Sequence, residues 1–200
     1  MSEDVELEGK KLEIVKYASG RFYESGFHAT SMEAALAGSG ISKRTLYKYF
    51  PSKEDLIEAV LTLYSEAVVQ QLFGPVAHIS DPREQIIAFF DVRKVAGRML
   101  TRGCLGVKAA QEYAGKDADI VALGRYAASL GEAKFLELCK QAGFAEPARV
   151  AKQLNLIFQG ALSLSHTLGD TSPFMLAKDM ASTVLDNAAA ARRKGTASKH

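Results

Sequence analysis

One stretch, residues 30–53, constrains this chain more than any other; it reads TSMEAALAGSGISKRTLYKYFPSK. Thr30 stands three residues before Glu33, the capping-box spacing of a helix start. A short helix then runs through Met32, Ala35 and Leu36. Gly38-Ser39-Gly40 breaks it, because glycine adopts turn conformations that other residues resist. Ser42 is positioned to cap a second helix over residues 43–50. Pro51 ends that helix, since the residue before a proline is pushed out of the helical region. Two short helices joined by a tight glycine turn make a helix-turn-helix.

The second of these helices carries the chemistry of a DNA reader. At about 100° per residue, Leu46 and Phe50 share one face with Ile41 near its foot, and that face packs inward. Arg44, Thr45 and Lys48 lie opposite, with Lys43 and Tyr47 on the flank. Lys43, Arg44, Lys48 and Lys53 bring positive charge with no acid between Ser42 and Lys53. Phosphates need lysine and arginine for affinity, and base edges need donors such as arginine for sequence reading. A charge run by itself ordinarily marks a solvated helix face. The glycine turn, the caps and the Tyr47/Tyr49 pair move the reading to duplex DNA.

Net charge is only +2 over 200 residues, so the chain is not a generally basic nucleic-acid coat and its DNA affinity has to be local. Hydrophobic residues make up 48% of it, ample for a core in one large or two small domains. Cys104 and Cys139 are too few for a disulfide framework or a structural zinc site, and a reduced, cytoplasmic setting is expected. No metal or cofactor is called for. No apolar run approaches the ~18 residues of a membrane span, and the acidic start MSEDVELEGK is unlike a signal peptide. No internal repeat is visible.

The rest of the chain reads as helix. After a frayed tail over residues 1–8, Leu12, Ile14, Val15, Ala18 and Phe22 predict a helix over 9–25, capped by Gly26 and plugged by Phe27. Ser52 and Asp55 start a long helix that Gly74-Pro75 stops. Asp81-Pro82-Arg83-Glu84 starts another, very apolar helix to about residue 100. A short helix over 104–114 follows, then a long one from Asp117 or Asp119 to Gly143. Two final helices begin at Pro147 and Pro173 and run to about 168 and 193, leaving a disordered tail over 195–200.

Residues 22–59 resemble the N-terminal domain of TetR-family transcriptional regulators. Phe22, Gly26, Thr30, Ser31, Gly40, Ile41, Ser42, Thr45, Leu46, Tyr47, Phe50, Lys53, Leu56 and Ile57 carry the resemblance. The string GISKRTLYKYFPSKEDLI is its specific part, and the match spans about a fifth of the chain. It implies an all-α fold of about nine helices. An N-terminal three-helix head over residues 1–52 would precede a larger effector-binding and dimerisation domain over 53–200, with 53–73 as the linking helix. It also implies a homodimer whose reading helices, about 34–36 Å apart, enter successive major grooves of a pseudo-palindromic operator.

Carried over residue by residue, Lys43, Arg44 and Thr45 are base-reading candidates. Thr30 or Ser31, Ser42, Tyr47, Lys48, Tyr49 and Lys53 are candidates for positioning phosphates. Two positions depart from the family pattern. Arg44 stands where a small residue is common, which adds a guanine contact or changes the helix tilt. Ala35 and Leu36 stand where an Ile-Ala pair is common.

The last two helices present more apolar surface than one chain easily buries. Leu154, Ile157, Ala161 and Leu164 on one, and Met180, Val184, Leu185 and Ala188 on the other, predict a four-helix dimer interface. The resemblance makes the C-terminal region a sensor for a small-molecule effector. Phe89, Phe90, Met99, Leu105, Tyr126 and Phe158 are candidate walls. Arg93 and His166 are candidate polar contacts, beside Gln111, Tyr113 and Gln159. Cys104, after Arg102-Gly103 and near a helix start, is alternatively a thiol that senses oxidants or electrophiles. More remote alternatives are a small helical enzyme using Cys104 and His166, and an interaction protein whose head no longer binds DNA. The reading is a dimeric repressor, not an enzyme, released from its operator by the effector.

Overall fold

The computed structural model describes the backbone of residues 2–95 and 102–197 and the side chains of residues 9–93 and 102–190. Among the described residues there are nine α-helices, a short 3-10 turn and no strand. The helices are α1 Ser2–Ser25, α2 Met32–Ala35, α3 Lys43–Tyr49, α4 Lys53–Phe73, α5 Pro82–Val95, α6 Leu105–Glu112, α7 Ala118–Gln141, α8 Pro147–Leu168 and α9 Pro173–Ala197. The 3-10 turn, Gly74–Val76, follows α4 where Gly74-Pro75 interrupts it.

Side-chain caps set the starts. Ser52 Oγ accepts from Asp55 N at 3.1 Å, and Asp55 Oδ2 accepts from Ser52 N at 3.0 Å, a reciprocal pair that opens α4. Asp81 Oδ1 accepts from Glu84 N at 2.8 Å ahead of α5, and Asp117 Oδ1 accepts from Ile120 N at 2.9 Å ahead of α7. Gly26, with φ +84°, provides the left-handed residue that lets the chain leave α1. Two sequence expectations are corrected at the ends. The helix α1 begins at Ser2, so residues 2–8 are helical where a frayed tail was expected. The helix α9 continues to Ala197, past the expected stop near 193. The expected end of α5 near residue 100 lies outside the described residues.

The chain divides into two compact units. The first comprises Met1–Ala67 and Leu105–Ala128. Its core gathers Ile14, Ala18, Phe22, Phe27, Leu46, Phe50, Leu56, Ile57, Val60, Leu61, Leu105 and Ile120. This unit is larger than the expected head, because the N-terminal part of α4 and all of α6 bury side chains in the same core. By length and composition α4 could cross a membrane, although no unbroken apolar run exists. Its Leu56, Ile57, Val60 and Leu61 are nevertheless fully buried in protein.

The second unit comprises Val68–Cys104 and Ser129–His200. Its centre is an aromatic cluster. Phe89 lies 4.5 Å from Phe73, 5.0 Å from Phe135 and 5.0 Å from Phe158, ring centre to ring centre. Phe158 in turn packs on Phe174, which brings α9 onto α8. Stacked and edge-on aromatic pairs of this kind are worth ~0.5–1.5 kcal/mol each beyond the area they bury.

Candidate nucleic-acid interface

The reading helix α3 is built from its two ends. Ser42 Oγ accepts from Thr45 N at 3.1 Å and lies 2.8 Å from Thr45 Oγ1, so the cap and the third helical residue are locked together. Phe50, extended at φ −132°, ends the helix ahead of Pro51. Leu46 and Phe50 are buried, as the helical spacing predicts, and Ile41 is half-buried. Ser42, Lys43, Arg44, Tyr47 and Lys48 are exposed, while Thr45, Tyr49 and Lys53 are half-buried. Lys48 Nζ sits 5.6 Å from the Tyr49 ring centre.

The turn between α2 and α3 is held from α1. Gly38 and Gly40 have φ of +85° and +73°, which is why glycine occupies both. Tyr17 donates its hydroxyl to the Gly38 carbonyl at 3.2 Å, and Arg21 donates to the Ala37 carbonyl at 3.0 Å. The carbonyls left over at the turn are thereby satisfied, and α3 is held against a fixed base.

The start of α2 differs from the capping box in the sequence reading. Ser31 is the cap, and its Oγ accepts from Ala34 N at 3.1 Å. Thr30 is only 3% exposed and donates its hydroxyl to the Gly26 carbonyl at 2.7 Å. Of the two hydroxyls offered for phosphate contact, Ser31 is therefore the one on the surface. Glu33 does not close a capping box either. Its Oε1 lies 2.6 Å from Lys43 Nζ and accepts from Tyr47 Oη at 3.1 Å. The Lys43 hydrogen bond holds the Glu33 carboxyl below its usual range. The same contact pushes the Lys43 ammonium up, and the Tyr47 phenol is raised by its hydrogen bond to Glu33.

The partners of two acids on this unit escaped the sequence reading. Glu33 is ten residues from Lys43 across the turn, and only a three-dimensional helix-turn-helix places them together. Glu112 is more distant still. Its carboxylate accepts from Phe27 N at 3.2 Å and from His28 N at 2.7 Å, pinning the corner between α1 and α2 from α6. A partner 84 or 85 residues away leaves no local signal.

The family model described as "Bacterial regulatory proteins, tetR family" matches residues 14–60, which lie within the first unit. A Bacillus subtilis protein described as an uncharacterized HTH-type transcriptional regulator, YxaF, is 31% identical over 172 residues, 82% of this chain and 88% of that one. The chain belongs to the TetR family. It is a transcriptional regulator with a helix-turn-helix DNA-binding head. The Escherichia coli regulator RutR is 44% identical over 55 residues, 28% of this chain and 26% of that one. Among solved structures, a TetR-family regulator from Streptomyces coelicolor matches at a TM-score of 0.78, with 20% identity, over 94% of this chain and 96% of that one. The reduced form of Escherichia coli NemR matches at 0.75, also at 20% identity, over 86% and 94%. At such identities the structural likeness is one of fold.

The effector candidates of this TetR-family protein are divided between the two units. Phe89, Phe90 and Phe158 fill the aromatic core of the second unit, with Arg93 beside them. Arg93 is 3% exposed, donates to the Leu72 carbonyl and lies 4.5 Å from the Phe89 ring centre; its Nε has no partner. Burial pushes its pKa down to about 10. Leu105 is buried in the other unit, Tyr126 and His166 are exposed, and Met99 lies outside the described residues. Cys104 and Cys139 are both buried thiols, and burial pushes Cys139 up to about 12. An open cavity of about 370 Å³ in the second unit is lined by Val69, Phe73, Gln85, Lys134, Glu137 and Leu138, among others.

The residues read as a dimer interface fall on two faces. Leu154, Ala161 and Leu185 are buried within the protomer, where α8 packs on α9. Ile157, Val184 and Ala188 are half-buried, and Leu164 and Met180 are exposed. Leu168 and Leu176 add to the exposed apolar residues of these two helices.

Proposed function

We propose that this regulator is a homodimeric repressor that reads a pseudo-palindromic operator and is released by a small-molecule effector. The observation that carries the reading is α3 itself. It is a capped helix whose apolar side is sunk in the core and whose outer side presents Arg44, Lys43 and Lys48. Lys43, Arg44 and Thr45 read base edges. Ser31, Ser42, Tyr47, Lys48, Tyr49 and Lys53 meet phosphates and fix the register. Exposed Leu164, Leu168, Leu176 and Met180 on α8 and α9 support pairing with a second copy, which gives two heads for two half-sites. The protein works in the cytoplasm, beside the chromosome.

The effector acts through the residues beyond the head, 53–200. Its place is the cavity beside Phe73 and Gln85, which joins an apolar floor to amide and charged groups. Its size is near the lower end of the ~300–1,000 Å³ typical of ligand sites. The effector can shift the DNA-binding equilibrium only by its difference in affinity between the two states.

Selection from random duplexes, followed by titration against random competitor at several salt concentrations, tests the reading. A two-fold-related consensus with half-sites about 10 base pairs or a multiple apart is the expected result. Recovery of no preferred sequence, with equal affinity for all duplexes, would overturn it.

A further inference from the structure

Glu33 belongs to α2, yet its carboxylate lies across the reading surface. Lys43 Nζ and Tyr47 Oη both reach Glu33 Oε1, at 2.6 and 3.1 Å, and Lys43 Nζ sits 5.9 Å from the Tyr47 ring centre. Lys43 and Tyr47 stand four residues apart, so they share one face of α3. Acid, cation and phenol thus close into one group on exposed surface, with the Lys43 side chain 68% and the Glu33 side chain 44% accessible.

The pairing changes what Lys43 can do. Affinity for any duplex comes from cations that neutralise phosphates and release counterions. A lysine already paired with a carboxylate adds no net charge to that attraction. Its carboxylate partner is repelled by the phosphate backbone. An ammonium has three N–H donors, however, and Glu33 engages one. The remaining two stay free for acceptors such as guanine O6 and N7 in the major groove. The pair can therefore dock intact where such an acceptor is present and gains little where only phosphates are offered.

We propose that Glu33 is a specificity-determining residue of the DNA interface: it withholds Lys43 from non-cognate phosphates and, with the Tyr47 hydroxyl donated to the same carboxylate, holds the Lys43 ammonium as an oriented donor for base edges. This rests on the DNA-reading function proposed above. It gives an acid on the non-reading helix a direct part in sequence discrimination.

The test compares the full-length protein with Glu33→Gln, a substitution that keeps shape and removes charge. Both are titrated on the selected operator and on random duplex between about 50 and 200 mM salt. With Lys43 released to phosphate, the variant binds random duplex more tightly. The slope of log affinity against log salt steepens by about 0.9, so the variant loses about three- to four-fold more affinity across that range than wild type. The operator-to-random ratio falls by a similar factor. In a Lys43→Met background, Glu33→Gln leaves only the sequence-independent gain from removing a carboxylate that phosphates repel, and the salt slope does not steepen. An unmoved slope and ratio would overturn the proposal, and so would a steepening that persists without Lys43. Wild-type protein with no preferred sequence would overturn the DNA-reading function and this proposal with it. Preserved preference with an unmoved slope would remove the proposal alone.

Discussion

Arg44 and Lys53 test whether two kinds of work are divided on one small surface. Arg44 is exposed near the start of α3, where side chains of a reading helix reach base edges. Arg44→Ala is expected to weaken operator binding about ten-fold or more and to relax preference at one base position. Lys53 is the first residue of α4, and the proposed reading gives it a phosphate contact. Lys53→Ala should weaken all sequences evenly and flatten the salt slope by about one. Titration of both variants on operator and on random duplex distinguishes these outcomes, and two variants that behaved alike would undo the division of roles. Arg93 poses the opposite question. Its burial without a carboxylate among the described residues counts against folding, on the order of 3 kcal/mol from its displacement below the ordinary arginine value to about 10. The sign is fixed by proton binding. Between those values the unfolded chain keeps a proton that the folded chain sheds, so stability rises with pH there and the cost stands in full at neutral pH. Arg93→Met is therefore expected to melt at or above the wild-type temperature, and a drop of several degrees would mean that the Leu72 bond and the Phe89 contact outweigh desolvation. At this scale the sequence was legible wherever partners are close along the chain. Ser42 as a cap and Leu46 as an inward residue came from spacing alone. Thr30 and Ser31 are adjacent hydroxyls with similar propensities, and only the corner at Gly26 decides which one caps α2.

Helix packing adds a constraint that spacing along one helix does not contain. A Cβ at Gly106 would stand 2.7 Å from the Gly124 carbonyl oxygen, and one at Gly124 would stand 2.7 Å from that of Gly106. The helices α6 and α7 therefore cross with backbone against backbone, and both glycines are required there. Alanine ordinarily stabilises a helix over glycine by ~0.5–1 kcal/mol. Gly20 in α1, which faces open space, should follow that rule, so Gly20→Ala is expected to raise stability by about that amount. Gly124→Ala should reverse the sign and cost ~1–3 kcal/mol, because backbone atoms have to move apart. Denaturant unfolding of the two variants reads the contrast directly, and equal shifts would show that the crossing is loose. The sequence marked helix starts well, since Asp81, Asp117 and Ser52 act on their own next turn. It could not pair Gly106 with Gly124, or Glu112 with the corner at Phe27, because each contact joins segments that only the fold brings together.

The whole molecule draws its two compact units from interleaved stretches of chain, with α4 and α7 each contributing to both. That interleaving explains why a boundary read from motif and composition, at residue 52, differs from one read from packing. The head's motif ends at α3, but its core needs Leu56, Ile57, Leu105 and Ile120 to close. The same distinction sharpens the dimer reading. The apolar stripe of α8 was legible by its period, but period cannot say which side of a broad apolar arc the protomer keeps. Leu154 and Leu185 are fully buried in the protomer, whereas Leu164 and Met180 remain 55% and 48% exposed. Exposed positions can be changed without opening the protomer core, so they isolate association from folding. Leu164→Glu combined with Met180→Glu is expected to leave helix content and the cooperative melt intact while placing like charges in the paired face. The doubly substituted protein should then sediment as a monomer. Its operator affinity should fall towards its affinity for a single half-site, because two linked heads gain from effective concentration what one head lacks. A variant that still sediments as a dimer would place the interface away from these residues. A monomer that kept full operator affinity would mean that one head suffices, and the pseudo-palindromic operator would lose its physical reason.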